Sequence, residues 1–244
     1  MSGLKIIDLN VQSILNTLDS LELFLKHEKP DIFCVSEHHL HPLTKKLANL
    51  AGYRVASIFC RKKKIRGGVA IFSRLGISCK EIDLTSYSIE RDCEMTAVQI
   101  HELDVLIITI YRSPKGNFEH FLEIIDRILT EFKAKNLILC GDFNIDFSEE
   151  NNDRRKLEFL DLTTIYNMHA SIKEPTRVGK TSATIIDNFF TTFLETDYTA
   201  RVVDPGISDH RAQIFKTSFK LSNPGELKTL VGSMIRKYND ESID

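Results

Sequence analysis

Several short apolar runs in this chain stop abruptly on a hydrogen-bonding side chain, and that pattern constrains the fold more than any other feature. Leu4 to Leu9 stops at Asn10, and Asp31-Ile32-Phe33-Cys34-Val35-Ser36 delivers Glu37. Val105 to Ile110 stops at Tyr111, and Leu137-Ile138-Leu139-Cys140 opens into Gly141-Asp142-Phe143-Asn144. Short runs rich in Ile, Val and Leu read as strands buried on both faces. Between the first two, Ser13 to Lys29 repeats apolar residues at helical spacing through Leu15, Leu18, Leu21, Phe24 and Leu25, until Pro30 ends the helix. Between the second two, Asn117 is placed to cap a helix over Phe118 to Lys133, with Phe121, Leu122, Ile125 and Leu129 among its apolar positions.

The remaining segments extend the same pattern. Tyr53 to Cys60 and Gly67 to Ser73 read as hairpin strands joined by Arg61-Lys62-Lys63-Lys64-Ile65-Arg66, so that basic loop projects from a sheet. Met95 to Ile100 pairs with Val105 to Ile110 around His101-Glu102-Leu103-Asp104. A helix over roughly Arg155 to Asn167 follows; Thr184 to Thr191 and Arg211 to Phe219 are the last expected strands, with Asp209-His210 in the loop before the final one. Strands alternating with helices predict a layered α/β protein, and the hairpins make its sheets mixed. One domain over residues 1–221 is expected. Asn223-Pro224-Gly225 then turns into residues 222–244, a tail or linker start in which Glu226 to Tyr238 could form an amphipathic helix.

Composition narrows the function classes. With 42% hydrophobic and 27% charged residues, the 244-residue chain is ordinary globular material. It has neither the apolar run of roughly 18 residues that a membrane helix needs nor a secretory-signal layout at Met1-Ser2-Gly3-Leu4-Lys5, so a soluble intracellular protein with no membrane partner is expected. The five cysteines lack Cys-x-x-Cys spacing, which indicates neither a disulfide frame nor a zinc site. His38, His39 and His41 make a poor zinc set, because adjacent histidines diverge. No Gly-x-Ser-x-Gly occurs, and Gly67-Gly68 lacks the Lys-Ser/Thr of a phosphate-binding loop. Net charge is −2, so affinity for a polyanion has to come from a local basic face such as Arg61 to Arg66, a run that more commonly means a solvated loop.

Asn10, Glu37, Tyr111, Asp142, Asn144, Asp187, Asp209 and His210 all fall at or beside expected strand ends, which can converge on one rim of a sheet. Each alone has a plain structural meaning. Asp142-Phe143-Asn144 suits a turn, Asp187 a satisfied buried carboxylate, His210 a loop histidine. Together they match what phosphodiester hydrolysis requires: oxygen donors for a hard cation, a group to orient water, and donors for a pentacovalent transition state. Scattered acids suit magnesium, which takes a few carboxylate oxygens and otherwise water and phosphate.

Taken in chain order, Asn10, Glu37, Tyr111, Gly141-Asp142-Phe143-Asn144, Asp187 and Ser208-Asp209-His210 resemble the signature of the endonuclease/exonuclease/phosphatase superfamily, which includes exonuclease III, apurinic endonucleases and DNase I. Within it, Asn10-Val11-Gln12-Ser13, Ser36-Glu37-His38, Gly67-Gly68-Val69-Ala70-Ile71-Phe72, Tyr111-Arg112-Ser113-Pro114 and Ile185-Ile186-Asp187-Asn188-Phe189-Phe190 are most similar to endonuclease domains of LINE-type non-LTR retrotransposons. The resemblance implies a DNase I-like four-layer α/β sandwich, two packed mixed sheets flanked by helices. It implies magnesium, with manganese as a substitute, and a nick in double-stranded DNA whose 3′-hydroxyl primes reverse transcription by a reverse transcriptase downstream in the same polyprotein. A nuclear location follows from that role.

The resemblance also implies a division of labour. Glu37 is the metal ligand, with Asn10 orienting it and Asp209 as a second carboxylate. Asp142 orients or deprotonates water, Asn144 and Tyr111 hold phosphate oxygens, and His210, paired with Asp187, is a cationic donor. Lys62, Lys63, Lys64, Arg112 and Lys180 would position DNA phosphates. Arg177, Lys180 and Ser182 lie in Glu174 to Ser182, expected to be a loop or hairpin entering a groove. Two departures matter. Gln12 stands where DNA-repair relatives commonly carry an acid, which shifts metal binding toward Glu37, and the absence of Trp favours intact duplex over an abasic site. The competing readings are a phosphatase of the same fold acting on phosphoinositides or other small phosphoesters, and a catalytically silent binding domain.

Overall fold

A computed structural model describes residues 3–132 and 136–220, so the expected tail at 222–244 lies outside the described residues. In chain order the strands are β1 (Gly3–Asn10), β2 (Ile32–Ser36), β3 (Tyr53–Phe59), β4 (Val69–Arg74), β5 (Lys80–Ile82), β6 (Glu94–Ile100), β7 (Val105–Tyr111), β8 (Asn136–Asp142), β9 (His169–Ala170), β10 (Arg177–Val178), β11 (Ala183–Thr184), β12 (Asp187–Thr191), β13 (Tyr198–Val203) and β14 (Ala212–Lys220). The α-helices are α1 (Leu18–Glu28), α2 (Phe118–Glu131) and α3 (Arg154–Ile165).

Two six-stranded sheets form, in the orders β13-β14-β1-β2-β4-β3 and β5-β6-β7-β8-β12-β9. Each is antiparallel apart from one central parallel pair, β1 with β2 and β7 with β8. A parallel pair needs a crossover connection, and α1 and α2 supply them. Period-two alternation sends Leu4 and Ile6 of β1 into the cluster shared with the second sheet, and Ile7 and Leu9 into the cluster beneath α1. Burial on both faces is why these strands are predominantly apolar. Phe121, Ile125 and Phe159 of α2 and α3 cover the second sheet, which completes a four-layer α/β sandwich. Asn117 caps α2 by accepting from the His120 N–H at 3.1 Å, and Asp153 caps α3 through the Arg155 N–H at 2.8 Å.

Local departures from the sequence reading have identifiable causes. The helix expected over Ser13 to Lys29 is a 3₁₀ turn at Ile14–Asn16 followed by α1, because the Ser13 and Ile14 amides donate to the Glu37 and His38 carbonyls at 2.9 and 3.2 Å. The strand expected over Thr184 to Thr191 is broken. The Ile185 amide donates to Asp146 at 3.0 Å, and those of Ile186 and Asp187 to the Thr176 hydroxyl at 3.1 Å, so Ile185 and Ile186 lie outside the ladder and β12 starts only at Asp187. β5, β9 and β13 were not anticipated; two are very short, and β13 alternates between half-buried and exposed residues.

Candidate active site

The carboxyl ends of the two parallel pairs meet at one edge of the sandwich, the position where open α/β sheets place ligands. Asn10 ends β1 and is buried, and its amide nitrogen donates to Glu37 Oε1 and to Asp142 Oδ2, each at 2.9 Å. One residue from the first sheet therefore ties a carboxylate of its own sheet to a carboxylate ending β8 of the second. Its Oδ1 accepts from the Gln12 amide at 3.1 Å, which leaves the amino group facing the acids. Glu37 follows β2 with φ 52, and its other oxygen lies 3.0 Å from His39 Nε2.

Asp142 folds back on its own turn, accepting the Asn144 amide at 2.9 Å. On its far side Asp187, which begins β12 directly opposite Asp142, accepts from His210 Nδ1 at 2.9 Å, both side chains being buried. Ser208 fixes the approach of this loop by donating to the Asn10 carbonyl at 2.6 Å. Tyr111 ends β7, and its hydroxyl contacts the Glu37 carboxylate. Asp209 is exposed; it pairs with Arg177 at 2.8 Å and accepts from Gln12 at 2.6 Å, and one of its oxygens lies 3.8 Å from His210 Nε2. Glu37, Tyr111, Asp142, Asn144 and His210 all line one cleft of about 360 Å³.

Electrostatics separate the acids into distinct states. Burial would raise the Glu37 carboxyl, but hydrogen bonds from His39 and Asn10 outweigh it and hold it at about 2, so it is an anion at every physiological pH. Burial, and then the Asp187 charge, push Asp142 up to about 7. Burial disfavours charge on His210, but the Asp187 carboxylate and its hydrogen bond prevail and lift the imidazole to about 9. His210 is therefore a cation at neutral pH, with Nε2–H free of Asp187. Burial and the Glu37 charge raise the Tyr111 phenol, which stays a protonated donor.

Asp142, Asp187 and His210 bring ligand atoms within 4.8 Å of one another. A protonated imidazole has no lone pair to give, so the oxygen donors, Glu37 foremost, are the ones suited to a hard divalent cation. The histidines once weighed as a zinc set take separate partners. His38 is buried between the Phe59 carbonyl and the Leu40 amide, both 2.9 Å away, and burial lowers it to about 4. Against an ordinary 6.5, it binds a proton in the unfolded chain first. Its contribution to stability is thus complete above pH 6.5 and lost as pH falls through 4, by roughly 3 kcal/mol. Urea unfolding between pH 7 and 4 should be steeper in pH for the native chain than for His38→Gln.

The basic residues sort differently from the sequence reading. Arg112 is not available to DNA: it is buried, and its guanidinium donates to the carbonyls of Phe143 at 2.8 Å and Asn144 at 2.7 Å, clamping the Asp142 turn. Lys62, Lys63, Lys64, Lys180 and Ser182 are exposed, and Arg177 is half-buried beside the cleft. Arg66, within the basic run expected to give a polyanion-binding face, lines the same cleft; the sequence reading missed Arg91 and Lys115, exposed cations that also line it, and His39, which holds Glu37. Arg91 and Lys115 are isolated in sequence and gave no signal. His39 had one, since residues two apart share a face near a strand end.

Comparison with known proteins agrees with this fold. In structure the chain is similar to the endonuclease domain of TRAS1, a telomere-specific non-LTR retrotransposon, with TM-score 0.69 and 19% identity over 89% of this chain and 99% of that one. It is likewise similar to the AP endonuclease LMAP from Leishmania major, with TM-score 0.68 and 13% identity over 90% and 89%, and to the 3′-5′ exonuclease NExo from Neisseria meningitidis, with TM-score 0.67 and 17% identity over 88% and 100%. No curated protein sequence matches it. The sequence itself matches the Endonuclease/Exonuclease/phosphatase family across residues 9–210, a span running from the last residues of β1 to His210, and the chain belongs to that family.

Proposed function

We propose that the chain is a magnesium-dependent endonuclease that nicks double-stranded DNA and leaves a 3′-hydroxyl. The observation that carries this reading is the Asn10 amide holding Glu37 and Asp142 together at 2.9 Å each, opposite a cationic His210, in a cleft lined by Arg66, Arg91, Lys115 and Arg177. An anionic phosphodiester fits between those poles. A bound magnesium ion would offset charge on the phosphoryl and leaving oxygens, and Glu37 with its neighbouring oxygens would hold it.

The side chains supply the rest. Asp142 orients the attacking water and takes its proton, and a carboxyl at about 7 is suited to that near neutral pH. His210 Nε2–H, the Tyr111 hydroxyl and the Asn144 amide donate to the phosphate oxygens. Asn144 has one N–H occupied by the Arg112 carbonyl at 2.7 Å, which fixes the direction of the other. One such cleft acts on one strand at a time, so the product is a nick. The exposed cations supply affinity for the duplex backbone that net charge does not.

The retrotransposon-like segments and the likeness to the TRAS1 endonuclease domain support a finer reading: the nick primes reverse transcription in the nucleus, by a reverse transcriptase carried on the same polyprotein. Among the described residues no helix is long and apolar enough to cross a membrane. Purified chain is expected to convert supercoiled plasmid to open circle with magnesium and not with EDTA. Release of inorganic phosphate from phosphoinositides, with plasmid left intact, would replace this reading by a phosphatase.

A further inference from the structure

The loop between β3 and β4 carries a side chain that neither the core nor the chemistry above employs. Ile65 is 88% exposed, yet it lines the cleft that contains Glu37, Tyr111, Asp142 and His210. A single exposed isoleucine is ordinary on a protein surface. This one is displayed on a backbone held from several sides. The Glu90 carboxylate accepts the amides of Lys62, Lys63 and Lys64 at 2.6, 3.0 and 2.9 Å. Arg61 is buried against Glu94 at 2.5 Å and the Ser113 hydroxyl at 2.8 Å, and it reaches the Ile65 carbonyl at 3.4 Å. Past the tip, Arg66 turns at φ 67 and the Gly67 carbonyl accepts from the His39 amide at 2.9 Å.

The tip therefore exposes Lys64, Ile65 and Arg66, and Ile65 and Arg66 line the cleft together with Glu37 and Asp142. A branched aliphatic group cannot read base edges by hydrogen bonding. Flanked by cations that grip phosphates, it has the chemistry of a wedge that presses between base pairs from the minor groove. We propose that Ile65 enters the minor groove at the base step beside the scissile phosphate and partly unstacks it. This rests on the reading of the site as a DNA nickase. Pyrimidine–purine steps unstack most readily, so the wedge makes TA and CA/TG steps the favoured places to cut.

The test pairs a nick map with a stacking probe. On a long random duplex, the native chain should cut pyrimidine–purine steps at least about fivefold more often than purine–purine steps, and Ile65→Ala should flatten that preference. With 2-aminopurine at the step beside the cut, binding by Asp142→Asn protein should raise fluorescence about threefold or more through unstacking. Adding Ile65→Ala should abolish the rise and Ile65→Leu should keep it, with thermal unfolding unchanged because the side chain is exposed. A flat probe signal on a duplex the native chain does nick, or a nick map indifferent to Ile65→Ala, overturns the wedge and leaves the nickase reading standing. Absence of nicking by the native chain overturns both.

Discussion

His210→Ala is expected to slow single-turnover nicking by about 10³-fold while changing duplex affinity little, because the lost group is a charged donor aimed at charge that develops in the transition state. Stability should fall as well. Asp187 is buried with His210 Nδ1 at 2.9 Å, and removing the cation strands its carboxylate in the interior, at a cost of about 3–5 kcal/mol. The pH dependence has a definite sign. The folded pKa of His210, about 9, lies above its ordinary 6.5, so the ion pair's stabilisation is complete below pH 6.5 and declines as pH rises through 9. Nicking should share that alkaline limb. The His210→Ala variant should lack it, and His210→Gln, which restores an N–H, should recover part of the rate. A rate for His210→Ala within about tenfold of native would remove the imidazole from its donor role.

Gly141→Ala should be among the most destabilising single changes in the chain. Gly141 sits at φ 133 inside the parallel β7–β8 pair, and a Cβ there would lie 1.9 Å from the Ile110 carbonyl oxygen. The obstacle is backbone, so no rotamer change relieves it, and a loss of at least about 4 kcal/mol is expected. Gly76→Ala is the control: it shares a positive φ, 92, but has nothing within 4 Å, and should cost about 1 kcal/mol. Urea midpoints at constant slope compare the two. Because Asp142 follows Gly141 directly, folded Gly141→Ala protein should also nick more slowly. Equal midpoints for the two variants would mean that the close passage of β8 past β7 is not a constraint.

β1, β2, β7 and β8 were readable in the sequence because burial on both faces makes them predominantly apolar runs, and their polar terminators stand out against that background. α2 was readable from its cap and periodicity, to within its last turn. The short edge strands were not, since ladder bonds to a neighbour, and no pattern of their own, define them, whereas the β10–β11 hairpin falls where turn residues from Glu174 to Ser182 predicted a loop or hairpin. The site's membership was legible as strand-end residues, but its wiring was not: that Asn10 bridges Glu37 and Asp142, or that Asp209 turns toward Arg177 and Gln12, depends on how two sheets face each other. Arg112 is the instructive error. A cation beside Tyr111 looks like a phosphate contact, yet alternation turns it to the opposite face, where its guanidinium lies 5.8 and 5.9 Å from the rings of Phe118 and Phe121. Asp8 interrupts the apolar run of β1 and lies fully buried between the sheets, where burial holds its carboxyl well above the ordinary range.

On the proposed function, this cleft breaks the P–O3′ bond of the phosphodiester and leaves a 3′-hydroxyl that a polymerase can use. Plasmid nicked by the purified chain in magnesium should be gel-purified and offered to a DNA polymerase with labelled nucleotides, with and without prior phosphatase treatment. Immediate incorporation at the nick, unchanged by phosphatase and absent after reaction with Asp142→Asn protein, is the predicted result. Nicks that incorporate label only after phosphatase treatment, or no nicks with any divalent metal, would contradict it.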